Sequence, residues 1–398
     1  MATDKSILRE FAWDPRYKVA DLDGVMTPAL VIYPELVASN IERTLQLLDG
    51  NADRWRVHVK TAKLGYTMRM LTECGVRNFK CATTLELLVA CQSGATDVLL
   101  AYPSIGANAR RVREIAEQFP EAHISVLAEN ENQIKQWHGS RLGIFLDINP
   151  GMNRTGVDEG YGGEIVSLAR ATQARGLSFR GLHYYDGQRR EPDMRARIAG
   201  AHHGYDRLLE IVNEIERTGV RVLEVVTAGT PAFPASLAYS GFRDARFIHR
   251  ISPGTIIYND ATSLAQLPPE YGYRLAALVL SRVVSHPRAG IVTGDAGHKA
   301  VSADAGNPTC VVVGHPELTP LSPSEEHLPF QVEGGGDGPA VGEMLYLLPR
   351  HVCPTVNNFD HGMIVRNGEI ESVERVSARG RETPLFRAAT IGASLAGG

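Results

Sequence analysis

A regular alternation of apolar runs and amphipathic segments is the feature that most constrains the fold of this chain. The strand-like apolar runs are 27–33, 56–60, 79–81, 97–102, 124–127, 143–148, 178–183 and 222–226. Segments between them carry apolar residues at helical spacing. Because strands that alternate with helices form parallel sheets, we expect an α/β fold, most economically a closed (β/α)8 barrel of the TIM type. An open doubly wound sheet is the alternative.

The pattern changes at about residue 270. Short β-rich runs, separated by Gly and Pro clusters, replace the alternation. These runs are 276–284, 289–292, 310–313, 344–348 and 363–365. We therefore predict a barrel domain at residues 1–270 and a smaller, mostly β domain at residues 271–398.

Composition excludes several classes of protein. The 398 residues are 43% hydrophobic and 22% charged, as in ordinary globular proteins. With 41 Lys plus Arg against 45 Asp plus Glu and no basic stripe, nucleic acid is not an expected partner. No apolar run reaches the roughly 18 to 20 residues of a membrane span, and the first residues lack a signal-peptide pattern. We expect a cytoplasmic protein whose five scattered cysteines stay reduced.

His58 and Lys60 stand at the end of an early predicted strand. A barrel presents such residues at its C-terminal mouth, the usual place for catalysis, and strand alternation puts both side chains on one face. An amine that is desolvated in this mouth can form a Schiff base. Both residues are therefore candidate catalytic residues, although a solvated surface lysine would give the same local pattern.

Arg154 and Tyr185 also follow predicted strands. Arg154 lies in a glycine-containing turn after the run at 143–148, and its guanidinium is suited to bind an anionic oxygen. Tyr185 follows the run at 178–183 and shares a strand face with His183. We take Arg154 and Tyr185 as further candidates, with an ordinary surface arginine as the alternative for Arg154.

Two small loops late in the predicted barrel indicate a phosphate site. Gly229 and Thr230 lie in one loop, and Gly254 and Thr255 lie in the other. Glycine lets backbone amides approach a phosphate closely, and the hydroxyls add donors. Together with a reactive lysine, these loops indicate a phosphorylated cofactor.

His351 and Cys353 are separated by one residue in the predicted β domain. On an extended segment their side chains would point to the same side and could bind one metal ion. A packed cysteine beside a surface histidine is the alternative, because two ligands are too few for a closed structural zinc site.

Seven segments in this order resemble the fold-type III pyridoxal-phosphate enzymes, specifically the D-threonine aldolase and D-serine dehydratase family with its alanine racemase-like barrel. The segments are His58-Val-Lys60-Thr61, Gly151-Met-Asn-Arg-Thr-Gly156, Leu182-His-Tyr-Tyr-Asp-Gly187, Ser252-Pro-Gly-Thr255, Asp295-Ala-Gly-His-Lys299, Ser324-Glu-Glu-His327 and His351-Val-Cys353-Pro-Thr355. The resemblance covers nearly the whole chain.

The resemblance implies that pyridoxal 5'-phosphate (PLP) is linked to Lys60, with its phosphate at the loops that contain Gly229, Thr230, Gly254 and Thr255. It also implies a divalent ion at His351 and Cys353, a D-amino acid substrate and a homodimer.

Two departures from the family pattern affect these expectations. Family members often have a histidine where this chain has Ala62, so whatever that histidine contributes is absent or supplied elsewhere. Cys353 matches the dehydratase branch, whereas the aldolases tend to have an aspartate there. A thiolate favours zinc, and a carboxylate favours manganese or magnesium.

The family chemistry leaves two main reactions open for a D-3-hydroxy-α-amino acid. Dehydration gives a keto acid and ammonia, whereas retro-aldol cleavage gives glycine and an aldehyde. Cys353 narrowly favours dehydration. Racemisation, which would need no metal, and a non-catalytic PLP carrier are less favoured, since such carriers lack a β domain of this kind.

Overall fold

The structure is a computed structural model that describes residues 11–385. Its strands are β1 (Ala29–Ile32), β2 (Arg56–His58), β3 (Asn78–Cys81), β4 (Asp97–Leu100), β5 (His123–Ala128), β6 (Gly143–Asn149), β7 (Val157–Asp158), β8 (Ser178–Tyr184), β9 (Glu224–Thr227), β10 (Ile248–Ile251), β11 (Ala277–Arg288), β12 (Ile291–Gly294), β13 (Cys310–Val312), β14 (Leu318–Pro320), β15 (Leu328–Val332), β16 (Met344–Pro349), β17 (His361–Arg366) and β18 (Glu369–Arg375). Its α-helices are α1 (Pro34–Leu47), α2 (Gly65–Glu73), α3 (Thr84–Gln92), α4 (Ala107–Gln118), α5 (Glu131–Lys135), α6 (Gly162–Ala174), α7 (Met194–Arg217), α8 (Phe233–Ala238), α9 (Ala261–Gln266) and α10 (Val352–Asn358). Within residues 11–385, no helix is both long and apolar enough to cross a membrane.

Eight parallel strands form the barrel, which confirms the predicted fold class. Their order around the sheet is β2, β3, β4, β5, β6, β8, β9 and β10. A parallel bridge between Trp55 and Ile251 joins the two ends of this sheet. The barrel interior is packed, since Leu99, Leu127 and Phe145 form a buried cluster with Val226.

Side-chain caps fix where several barrel helices begin. Thr83 accepts a hydrogen bond from the backbone N–H of Glu86 at the start of α3. Asn130 and Asp193 cap α5 and α7 in the same way. Such caps satisfy backbone N–H groups that have no partner within the helix, so local sequence defines the turns that precede α3, α5 and α7.

A buried ionic cluster closes the N-terminal end of the barrel. The Arg56 guanidinium contacts Glu224 at 2.6 Å and Asp97 at 2.9 Å. Arg180 contacts Asp97 at 2.7 Å, and Arg250 also pairs with Glu224. Because each buried charge has a partner of opposite sign, the cluster avoids the large cost of an unpaired buried ion. The opposite, C-terminal end is left as the open mouth.

A second sheet of nine strands makes up the β domain, and β1 lies inside it. The order of its main path is β14, β15, β12, β11, β1, β17 and β18, with β16 pairing with β11 and β13. The first strand-like run, predicted as part of the barrel alternation, therefore belongs to the other sheet. β1 is antiparallel to β11 and parallel to β17, and its residues Leu30, Val31 and Ile32 are buried.

Candidate active site

All ten residues predicted for the site line one cavity at the C-terminal mouth of the barrel. They are His58, Lys60, Arg154, Tyr185, Gly229, Thr230, Gly254, Thr255, His351 and Cys353. The cavity has a volume of about 390 Å³, within the usual range for small-molecule sites. Of three larger cavities, those of about 650 and 730 Å³ contain none of these residues, and the third, of about 460 Å³, contains only Arg154.

His58 and Lys60 lie where β2 ends. His58 is buried, and its Nδ1 accepts a long hydrogen bond, 3.4 Å, from the backbone N–H of Lys60. Burial, together with the charges of Lys60 and Lys80, holds the pKa of His58 well below its ordinary value. The His58 imidazole is therefore neutral, and the half-buried Lys60 side chain follows it into the mouth.

The loop that contains Gly254 and Thr255 is held close to β2. Trp55 Nε1 donates to the carbonyl of Pro253 at 2.9 Å, and Ser252 Oγ donates to the carbonyl of Arg56 at 2.8 Å. A Cβ atom on Gly254 would lie only 2.1 Å from the carbonyl oxygen of His58. Only glycine fits there, so the backbone of this loop lies tight against the end of β2.

The loop that contains Gly229 and Thr230 has a similar close approach. Ala228, directly after β9, has a φ of 58°, which turns the chain sharply at the strand end. A Cβ on Gly229 would lie 3.0 Å from the Tyr185 ring. Two narrow loops with hydroxyl side chains fit the donor chemistry that a phosphate group needs. The residues present therefore fit PLP.

Arg154 lies over the ring of Tyr185. The guanidinium carbon is 4.6 Å from the ring centroid, a distance at which a cation is attracted to an aromatic face. Asn149 shapes the turn that carries Arg154, because its Oδ1 accepts backbone N–H bonds from Gly151 and Asn153. This arrangement holds a positive charge at the edge of the cavity.

The predicted extended conformation across His351 and Cys353 is wrong, because α10 begins between them. His351 precedes α10 in an extended conformation, and Cys353 lies in the first turn of that helix. Asp304 Oδ2 lies 2.7 Å from His351 Nδ1. Since a carboxylate accepts, Nδ1 carries the proton and Nε2 is left for another partner. Cys353 Sγ lies 2.9 Å from Thr61 Oγ1.

Asp260 and Thr262 hold this helix at the barrel mouth. The Asp260 carboxylate accepts from the backbone N–H of Val352 at 3.0 Å and also caps α9. Thr262 Oγ1 donates to the carbonyl of Arg350 at 2.8 Å. The β domain thereby delivers His351 and Cys353 to the cavity.

The imidazole of His351 and the thiol of Cys353 form a polarised pair. Burial lowers the pKa of His351, but Cys353 and the carboxylates of Asp260 and Asp304 outweigh it and raise that pKa to about 9. Burial raises the pKa of Cys353, but His351 and Lys60 outweigh it, so the net shift is downward. Within residues 11–385, no group of three or more His, Cys, Asp or Glu residues is placed to hold a metal ion. A nitrogen and a sulfur donor still fit the chemistry of zinc.

Sequence reasoning did not find the residues that support this site. Lys80, Asp260 and Asp304 were not predicted, although Lys80 faces His58, Asp260 faces His351 and Asp304 contacts His351. A signal did exist for Lys80, because it lies between Phe79 and Cys81 in a buried strand. A lysine inside such a strand is unusual and points to a role in the barrel interior.

Comparisons with known proteins agree with this architecture. Residues 32–261 match the family "Alanine racemase, N-terminal domain", and residues 276–365 match the family "Putative serine dehydratase domain". The chain is 27% identical to D-threonine aldolase from Arthrobacter sp. over 399 residues, with 94% of this chain and 99% of that protein covered. It is also 27% identical to 3-hydroxy-D-aspartate aldolase from Paracoccus denitrificans (strain Pd 1222), with 91% and 94% covered.

A more distant relative and one solved structure complete the comparison. D-threo-3-hydroxyaspartate dehydratase from Delftia sp. (strain HT23) is 21% identical, with 88% of this chain and 97% of that protein covered. The crystal structure of D-threonine aldolase from Filomicrobium marinum superimposes with a TM-score of 0.82 at 27% identity, covering 92% of this chain and 99% of that one. Since the first family match spans more than half of the chain, the protein belongs to the alanine racemase N-terminal domain family, the fold-type III PLP enzymes.

Proposed function

We propose that the protein is a PLP- and divalent-metal-dependent lyase that acts on D-3-hydroxy-α-amino acids and that it catalyses their dehydration. One observation carries the proposal: a single cavity brings Lys60 together with the His351 and Cys353 pair. The first group suits a carbonyl cofactor, and the second suits a metal ion. The relatives named above act on D-threonine or 3-hydroxy-D-aspartate, which supports the substrate class.

The residues that would hold PLP are distributed around the cavity. Lys60 would bind its aldehyde carbon, and the loops of Gly229, Thr230, Gly254 and Thr255 would bind its phosphate. When bound, PLP supplies an electron sink for a carbanion at the α-carbon of an amino acid. The protein has to hold the amino acid, place a base near its α-proton and exclude competing reactions.

The chain's own side chains supply the remaining chemistry. Lys60 would be the amine placed to take the α-proton of the bound amino acid. The His58 imidazole is neutral, so it adds no positive charge next to Lys60. Arg154 presents a guanidinium that can bind an anionic oxygen, and Tyr185 holds that guanidinium in place through its ring. His351 and Cys353 would hold a divalent ion, with zinc favoured over manganese or magnesium, and that ion would supply Lewis acidity.

Dehydration is our first choice because Cys353, rather than an aspartate, stands beside His351. The second candidate is retro-aldol cleavage to glycine and an aldehyde. It is favoured by the greater identity of the chain to the Arthrobacter aldolase, 27%, than to the Delftia dehydratase, 21%. The two reactions share a substrate class and differ in which bond breaks.

Proton NMR of the products separates the two reactions. The purified protein is incubated with PLP, zinc or manganese, and D-threonine or D-threo-3-hydroxyaspartate, with L-threonine as the stereochemical control. From D-threonine we expect 2-ketobutyrate and ammonia, whereas glycine and acetaldehyde would establish the aldolase. We expect His351→Ala to lose either activity, and full activity in that variant without added metal would contradict the metal-dependent proposal.

The homodimer implied by the family resemblance is part of the proposal. Analytical ultracentrifugation of the PLP-loaded protein measures it directly. We expect twice the mass of one chain.

A further inference from the structure

A carboxylate at the rim of the cavity contacts one ring nitrogen of His351. Asp304 Oδ2 lies 2.7 Å from His351 Nδ1, and both residues line the cavity. Because an ionised carboxylate only accepts, the proton between the two side chains belongs to Nδ1. The other nitrogen, Nε2, is then the one that a metal ion can bind, in the same cavity that Cys353 lines.

Asp304 is itself held in place by a neighbouring hydroxyl. Ser302 Oγ donates to Asp304 Oδ1 at 3.0 Å and accepts from the backbone N–H of Asp304 at 3.4 Å. Both residues lie in the loop between β12 and β13. These two contacts form a tight local turn, which determines that Oδ2 is the oxygen that faces His351.

Thr355 ties this turn to the start of α10. The backbone N–H of Ser302 donates to Thr355 Oγ1 at 3.2 Å, and that hydroxyl donates to the carbonyl of His351 at 2.9 Å. Thr355 is fully buried. Asn358 Nδ2 adds a second connection, because it donates to the carbonyl of Ala300 at 3.4 Å. The carboxylate and the imidazole therefore belong to one connected unit, unlike an ordinary surface pair whose two side chains move independently.

Cys353 is supported from the other domain. Its Sγ lies 2.9 Å from Thr61 Oγ1, which follows β2, and 3.6 Å from Thr255 Oγ1, which follows β10. The nitrogen donor is thus supported by the β domain and the sulfur donor by the barrel. Removing Asp304 should therefore affect the nitrogen donor and leave the sulfur donor in place.

We propose that Asp304 is a positioning residue for the metal ion, which holds the His351 ring in one orientation, with its proton on Nδ1, so that Nε2 is presented to the ion. A metal-binding histidine commonly has such a partner, and loss of the partner weakens metal affinity about 10- to 100-fold. This inference rests on the proposed metal site at His351 and Cys353 and is independent of whether dehydration or aldol cleavage follows.

The zinc affinity of the PLP-loaded protein tests the inference without measuring turnover. Bound zinc is quantified by mass spectrometry after equilibrium dialysis against zinc that is buffered by a chelator. In Asp304→Ala we expect the dissociation constant for zinc to rise about 10- to 100-fold, because the ring can then turn and present either nitrogen. In Asp304→Asn we expect a smaller rise, since the amide can accept from Nδ1 but can also turn and donate to it.

Asp337→Ala is the matched control. Asp337 is an exposed aspartate of the β domain that does not line the cavity, so this variant should bind zinc as tightly as the wild type. The absorbance of bound PLP shows that each variant is folded. If Asp304→Ala does not fold, Asp304→Asn, which keeps the shape of the side chain, is used for the comparison.

Cobalt substitution reports on the imidazole itself, which a merely structural role of Asp304 would leave unchanged. A histidine that binds Co²⁺ through Nε2 gives a hyperfine-shifted, solvent-exchangeable NMR signal from its Nδ1–H. In the wild type we expect this signal to be observed, because Asp304 accepts the proton and slows its exchange with water. In Asp304→Ala at saturating cobalt we expect the signal to broaden or disappear. The thiolate-to-cobalt absorption should remain, since Thr61 and Thr255 still contact the Cys353 sulfur.

His351→Ala separates this inference from the proposed function. If His351→Ala loses zinc while Asp304→Ala binds it as tightly as the wild type, the role of Asp304 is overturned and the proposed function stands. A weaker zinc affinity in Asp304→Ala with an unchanged N–H signal would also overturn that role. If His351→Ala binds zinc as tightly as the wild type, both the inference and the proposed metal site are overturned.

Discussion

Burial strongly perturbs the pKa of one carboxyl group near the site, that of Asp186. Its side chain follows β8, is 1% exposed, and accepts a hydrogen bond from the Tyr205 hydroxyl through Oδ2 at 2.5 Å. Its other oxygen, Oδ1, has no hydrogen-bond partner among residues 11–385. Burial raises the pKa of this carboxyl to about 6, although the Tyr205 hydroxyl opposes the shift. The folded protein therefore resists the ionisation of Asp186.

Because Asp186 is buried, we expect its ionisation to lower the free energy of unfolding as pH rises. The unfolded chain loses this proton near pH 3.8, whereas the folded chain keeps it until about pH 6. Between these values the folded state binds more protons, so ionisation costs up to about 3 kcal/mol of stability above pH 6. We expect the free energy of unfolding of Asp186→Asn, relative to the wild type, to increase by about this amount across the window.

Urea denaturation at several pH values measures this difference. Asp206→Asn is the matched control, because Asp206 is exposed and accepts a hydrogen bond from the Tyr239 hydroxyl. A difference between Asp186→Asn and the wild type that stays constant with pH would show that burial does not perturb this carboxyl.

Residues at strand ends could be located from the sequence, whereas their partners could not. Lys60 and Arg154 follow apolar runs, and a parallel barrel places all such positions at one mouth. Lys80 and His183, in contrast, are 103 residues apart, and Asp304 and His351 are 47 apart. Such pairs depend on how strands are ordered around the sheet, which local periodicity does not encode.

Most secondary-structure elements followed from their hydrophobic patterns, and the exceptions have physical causes. The run at 27–33 does form a strand, β1, but that strand lies in the second sheet and not in the barrel. Its apolar side chains are buried there, and an apolar pattern alone does not distinguish burial in one sheet from burial in the other. β7, β10, β14, β15 and β18 were not among the predicted runs, since they are short or carry several charged residues. The segment after Arg350 became helical because Asp260 accepts the N–H of Val352 at its first turn.

The loop between β10 and α9 gives a prediction about cofactor affinity. In Gly254→Ala the new methyl group would collide with the carbonyl of His58, and the loop would have to move away from β2. We expect PLP to bind at least about fivefold more weakly, as a strain of about 1–3 kcal/mol implies. Absorbance titration with PLP measures the dissociation constant.

Gly163→Ala is the control for this substitution. A Cβ atom on Gly163 in α6 would meet nothing within 4 Å, so PLP affinity should be unchanged. Circular dichroism confirms that both variants are folded. Wild-type affinity in Gly254→Ala would mean that this loop does not form the phosphate cradle.

At the scale of the whole molecule, the two sheets are interlocked. β1 comes from the N-terminal part of the chain and lies between β11 and β17, which come from the C-terminal part. The principal apolar core contains residues from both halves, among them Val31, Leu278 and Ile364. The barrel and the β domain are therefore connected by more than one crossing of the chain.

Truncation tests this interlocking. A chain of residues 1–270 would leave β1 without either neighbouring strand and would expose Leu30, Val31 and Ile32. We expect this fragment to show no cooperative thermal transition by circular dichroism, whereas the full chain shows one. A fragment that melts cooperatively would show that the barrel folds on its own.

The position of β1 also sets the order of events during synthesis. β1 leaves the ribosome early, yet its partners β11 and β17 are translated about 250 and 330 residues later, which takes tens of seconds at ordinary elongation rates. Throughout this interval an apolar strand with two unpaired edges is available to other chains. The nascent protein should therefore depend on chaperones that shield this segment until the last strands emerge.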